Sequence, residues 1–254
     1  MKRFLLLTLA ITLLIKDALS LPTIAETTPA DEVNEIEHGA DASISAVSPA
    51  ATESESLSGT ELFIVSAFKR YANLLFFQLR RTHQIAKDVL ADPTIAAIGS
   101  EQMRGKIEIL RKYVTQSDLE GLKKVPPAAI PNRYYLAIGT IFVLGHFDGV
   151  ARELNATSEQ DRTPVENLLW AALQRHGYQE YLVELEKRGV ELFESFVDDL
   201  EKYVKSLFPA DREKDEILMP GYDMYTQHPE RFSKKEFGIK IFDVVFHEAG
   251  KIYK

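Results

Sequence analysis

Cysteine is absent from all 254 residues. That absence excludes disulfides, thiolate zinc cages, iron–sulfur clusters, thiol nucleophiles and the acylated cysteine of a lipoprotein. Tryptophan occurs once. No Gly-x-Gly-x-x-Gly turn and no Gly-x-x-x-x-Gly-Lys-Ser/Thr loop is present, so nucleotide binding has no motif to rest on. A Gly-x-Ser-x-Gly nucleophile elbow is missing too. His247-Glu248 begins a His-Glu-x-x-His zinc motif, but Lys251 stands where the second histidine belongs. A basic surplus is also lacking. The formal charge is −8, which is the reverse of a nucleic-acid footprint, and no nucleic-acid partner is expected.

What is present starts with Met1-Lys2-Arg3, followed by the charge-free run Phe4–Ile15 and the small-residue exit Ala18-Leu19-Ser20. Basic head, apolar run and small exit together predict a secretory signal peptide over residues 1–20. Its twelve uncharged residues fall short of the about 20 that span a bilayer, so cleavage is expected and no transmembrane span should remain. The protein is therefore expected to be exported, either periplasmic or secreted.

Residues 21–59 carry eight acids, no Lys or Arg and no aromatic side chain. Such a segment buries too little apolar surface to offset its ordering entropy, and it is predicted to be a disordered acidic linker. The remainder, 60–254, holds 29 acids against 27 bases, so the acidity belongs to the linker.

From residue 60 onward the apolar residues recur at helical spacing. Thr60 is predicted to cap a helix of about 62–90 that is apolar round most of its circumference. Asp92-Pro93 starts a short piece, and Met103, Ile107, Leu110 and Val114 mark another helix. An apolar run over 132–154 suits a buried helix. Thr163-Pro164-Val165-Glu166 is a capping box, and Gly177 closes the helix that it opens. The strongest period runs from Tyr178 to about Phe208, and a last helix is expected over 236–247. The fold class is all-α: an irregular bundle of about six helices in a single domain, 60–254. The two long amphipathic helices are expected to pack on the 132–154 helix.

Two residue sets are candidates for chemistry. The stretch 211–232 reads as a long irregular connection rich in Met and Tyr, a composition suited to an adaptable contact surface. Its binding candidates are Met219, Tyr222, Met224, Tyr225 and His228. The metal candidates are His146, Asp148, His176 and His247, drawn from facing helices as bundles do. His146 and Asp148 are two apart and would need a helix break at Gly145 or Gly149 to share an ion. No catalytic residue and no cofactor is expected. The leading expectation is a non-enzymatic binding protein of the cell envelope or extracellular space, with a protein or apolar small-molecule partner. Its alternatives are a carrier of apolar ligand or peripheral membrane binder, in which Lys69, Arg70, Arg80 and Arg81 would meet lipid headgroups, and a His/Asp metal-dependent hydrolase.

Overall fold

The structure, a computed structural model, describes residues 57–99, 101, 105–117 and 130–252, with the backbone alone for 130–135. The expected signal peptide lies outside them, as does nearly all of the acidic linker. Gly59–Lys254 is one compact unit.

Its first helix, α1 (Gly59–Ala91), is 33 residues long, which at 1.5 Å per residue is about 50 Å. Fifteen of its residues are buried, among them Ile64, Phe68, Tyr71, Leu75, Ile85 and Val89. They spread round more than one side because it packs most extensively on four other helices. These are α3 (Lys106–Ser117), α4 (Ile130–Ala156), α6 (Tyr178–Ser206) and α9 (Lys234–Ile252). A helix enclosed in this way buries most of its apolar circumference. Arg70 pairs with Asp199 at 2.9 Å, an ion pair within the bundle.

Between these long elements lie α2 (Pro93–Ala96), α5 (Pro164–Arg175), α7 (Pro209–Lys214), α8 (Met219–Gln227) and a 3-10 turn (Pro229–Arg231). The described residues therefore form nine α-helices and no strand, where about six helices were expected. The excess consists of one-turn and two-turn pieces. The capping box of α5 is present as read: Glu166 N–H donates to Thr163 Oγ1, and the Thr163 N–H donates to Glu166 Oε2 at 2.9 Å. Gly177, at φ +88°, ends α5 in the left-handed region and lets α6 set off in a new direction.

The stretch 211–232 is a correction, for most of it is helical. Pro220 reads as a breaker but occupies the first turn of α8, where its missing N–H has no intrahelical partner to lose. Gly221 reads as a breaker too, yet its lack of a side chain is what allows α8 to approach α9. A Cβ there would stand 2.3 Å from Ile241 Cδ1. Asp215 turns the chain into α8, its Oδ1 accepting from the Ile217 and Leu218 N–H groups. Its Oδ2 accepts from Thr60, whose hydroxyl also lies 2.7 Å from that of Tyr203. Thr60 thus sits inside α1 and ties it to α6 and the 215 turn, rather than capping the helix as its position suggested.

Of the two long helices, α1 packs on α4 as expected, but α6 has other main neighbours. Helix α4 lies on α1 and α3, whereas α6 lies chiefly on α1 and α9. Phe242 of α9 explains this arrangement, since its ring meets Tyr71 at 5.0 Å, Phe193 at 5.8 Å and Phe196 at 5.6 Å between centroids. Each buried aromatic of this kind contributes about 1.5–3 kcal/mol through removal from water. The approach of α9 to α6 is closest at Gly238, where a Cβ would stand 2.6 Å from the Phe193 carbonyl oxygen. Backbone cannot yield as a flexible side chain can. Gly238→Ala should therefore lower stability by about 1–3 kcal/mol through overpacking, read as a fall in the urea midpoint with the far-ultraviolet helical signal retained. An unchanged midpoint would show that α9 can stand off from α6 at no cost.

Candidate binding groove and buried polar cluster

Helix α4 runs unbroken through Gly139, Gly145 and Gly149. Without a break, residues two apart point in different directions. His146 accordingly lies exposed, while Asp148 is half-buried. His176 is engaged elsewhere, its Nε2 lying 2.8 Å from Asp92 Oδ2, and His247 is exposed on α9. The four metal candidates do not converge. Among the described residues no three His, Asp or Glu side chains gather to hold a metal ion.

The loop candidates divide in the same way. Met219 and Tyr222 are buried core residues, and Tyr225 stacks on Phe237 with centroids 4.0 Å apart. Met224 is exposed, and His228, half-buried, has its Nδ1 3.7 Å from Glu230. Only the outer edge of α8 is therefore open to a partner.

The surface that sequence reasoning missed lies between α3 and α4. A groove of about 570 Å³ is lined by Ile109, Gly145, His146, Gly149, Arg152 and Glu153, together with Val150 and Ala156. At Gly145 and Gly149 a Cβ would meet nothing within 4 Å, in contrast to the crowded Gly221 and Gly238. Phe142, one turn before Gly145, is 47% exposed, and Ile109 across the groove is 38% exposed. The signal available in the sequence was Gly145 and Gly149 in mid-helix, which the search for ligand spacing read only as break points.

Two polar clamps join neighbouring helices, the first of them at the groove. Lys106 Nζ, at the start of α3, reaches Glu153 Oε1 at 2.8 Å and Glu166 Oε1 at 2.5 Å, joining α3, α4 and α5. The Lys106 hydrogen bond, helped by those from Thr163, holds the Glu166 carboxyl well below the usual carboxylate range. Beneath α2, Asp92 Oδ1 accepts from the Thr94 N–H and hydroxyl, while Oδ2 faces His176 and, at 3.2 Å, Arg175. An Asp–His pair invites comparison with a catalytic dyad, but a nucleophile would have to sit on the imidazole's other nitrogen. No hydrogen bond joins a hydroxyl to His176 among the described residues, and the pair acts as a cap and clamp.

Compared with known proteins, the chain matches no family model, no curated protein and no solved structure.

A third polar group lies behind the groove. The hydroxyls of Thr82 and Tyr113 are 2.6 Å apart, and Ser117 links the Tyr113 carbonyl to His83 Nδ1, tying α1 to α3. Gln78, 4% exposed, accepts a long hydrogen bond from Tyr181, and its Nε2 has no partner among the described residues. Phe147 bridges the rings of Tyr113 and Tyr178 at 5.5 and 6.1 Å. Burial pushes the Tyr113, Tyr178 and Tyr181 hydroxyls well above their usual range, with Asp148 adding to the shift in each. Burial likewise pushes the Asp148 carboxyl up to about 7, against a modest pull from Arg152.

Asp92 has the opposite character, its hydrogen bonds from Thr94 and His176 holding its carboxyl far below the usual range. A depressed carboxyl contributes stability that is present above its unfolded pKa of about 4 and lost as pH falls through the folded value. Asp92→Ala should thus lower the melting temperature at pH 7, with the gap from the parent chain narrowing as the buffer is taken below pH 4. A gap that stays constant down to pH 2 would mean that the cap, not the charge, carries the effect.

Proposed function

We propose that this is an exported, non-enzymatic binding protein whose contact surface is the α3–α4 groove. The observation that supports it is the pair Gly145 and Gly149 on a long helix, each facing open space. A glycine inside a helix costs about 1 kcal/mol relative to alanine. Gly238 and Gly221 offset that cost with tight helix crossings inside the molecule, but Gly145 and Gly149 have no such return. Close approach by a partner's backbone or by an apolar side chain is a use that would account for them. The exposed rims at Phe142 and Ile109 would flank such a guest, and Arg152 with Glu153 would frame it with paired charge.

The groove is open and shallow in character, suiting a segment of protein better than an enclosed small molecule. The reading as an apolar-ligand carrier has less support. The aromatic faces that would hold such a ligand are closed on one another, as in Phe68–Phe246 at 5.8 Å and Tyr71–Phe242 at 5.0 Å. Export rests on the basic, apolar and small-residue order of the first twenty residues.

Filling the groove tests this directly. Gly145→Leu/Gly149→Leu should leave the melting temperature equal or higher, because leucine is the better helix former and has space. The same variant should abolish crosslinking to the partner that the parent chain captures from its own host's secretions. Met224→Glu, on the outer edge of α8, should leave capture intact. Capture lost with Met224→Glu and kept with the filled groove would return the contact surface to α8.

A further inference from the structure

Five asparagines occur in the chain, and Asn155 alone opens an Asn-x-Ser/Thr triplet, Asn155-Ala156-Thr157, with no proline between. That triplet is the acceptor of asparagine-linked sugar in the endoplasmic reticulum. Periplasmic transferases ask in addition for an acid two residues earlier, and Glu153 stands there. Glu153-Leu154-Asn155-Ala156-Thr157 thus satisfies the transferases of both export routes. Such triplets also arise by chance, so placement in the fold decides whether this one can carry a sugar.

Asn155 lies exposed in the last turn of α4, and its side chain meets no hydrogen-bond partner among the described residues. Asn167 differs: it is half-buried, and its Nδ2 donates to the Glu159 carbonyl at 3.1 Å. Leu154 is buried and anchors the turn, leaving Asn155 outside the core. Thr157 closes the helix end, its N–H and hydroxyl both donating to the Glu153 carbonyl, at 3.0 and 2.8 Å. Beyond it residues 158–161 are exposed. The triplet therefore sits where a helix frays and the chain opens at least cost.

We infer that Asn155 is an N-glycosylation site bordering the α5 end of the groove. In the transfer, Asn155 Nδ2 bonds to the anomeric carbon of an oligosaccharide carried on a polyprenyl diphosphate. The bond from that carbon to the diphosphate breaks, and the carrier diphosphate leaves with one amide proton. Arg152, three residues earlier, is the neighbour of Asn155 on the helix surface, and Ala156 follows it; both line the groove. The sugar therefore stands at one end of the groove, with Phe142 about 20 Å back along α4. The open floor at Gly145 and Gly149 is left to a guest. This inference rests on the export reading, and on the groove only for what the sugar adjoins.

The test is peptide mass spectrometry on the full chain recovered from its own host. Trypsin cuts after Arg152 and Arg162 and isolates the whole triplet in the peptide Glu153–Arg162. That peptide should carry an added sugar mass whose fragments place it on Asn155. Asn155→Gln and Thr157→Ala should each abolish the added mass, and Thr157→Ser should keep it. A bare peptide from a chain that has left the cytoplasm and lost residues 1–20 overturns the inference while export stands. A chain found in the cytoplasm with residues 1–20 attached overturns export and the glycan together. Sugar that survives in Asn155→Gln sits on a neighbouring hydroxyl, Thr157 or Ser158, and overturns the assignment to Asn155.

Discussion

Enclosure of α1 is the constraint on which the rest of this structure depends. A chain without cysteine has no disulfide staple, so its cohesion has to come from apolar burial. Here that burial is organised round one helix against which four others pack most extensively. Two of them, α3 and α4, cover one part of its circumference, and α6 and α9 cover another. These helices also pack on one another, α3 on α4 and α6 on α9, and α1 joins the two pairs.

Polar contacts in this bundle define geometry more than they supply cohesion. Exposed ion pairs along α6, such as Arg188–Glu184 at 2.8 Å, are worth a few tenths of a kcal/mol. Asp92, Asp215 and Lys106 differ because each joins elements distant in the sequence. Asp215 gathers the start of α1, the end of α6 and the turn into α8 with two oxygens. Lys106 does the same for α3, α4 and α5. Such groups fix which helix turn stands beside which, a specification that greasy surfaces alone leave loose.

Sequence periodicity carried much of the helical framework because caps and apolar stripes are local. Thr163 with Glu166, Asp92 with Pro93, and Gly177 each act within four residues of themselves, and each performs the role its position implied. Failures came where a residue answers to something far along the chain. Gly221 reads as a helix breaker until Ile241 is known to lie against it. Thr60 has the look of a cap until Tyr203 and Asp215 claim its hydroxyl. Asp148 and His146 look like a ligand pair until an unbroken helix sends them to different surroundings. The α3–α4 groove was invisible for the same reason: nothing local says that Ile109 will stand opposite Gly145 and Gly149.

The closeness of Gly238 to the Phe193 backbone bears on how the chain comes together in time. Helix α9 supplies Phe242 to the rings of Tyr71, Phe193 and Phe196, yet it follows both α1 and α6 in the chain. Until it emerges, those rings on α1 and α6 lack their cover and the seat beside Phe193 is vacant. A nascent chain therefore carries an open aromatic cleft until α9, nineteen residues long, has been made. The packing of α6 against α1 is completed by a segment that arrives after both.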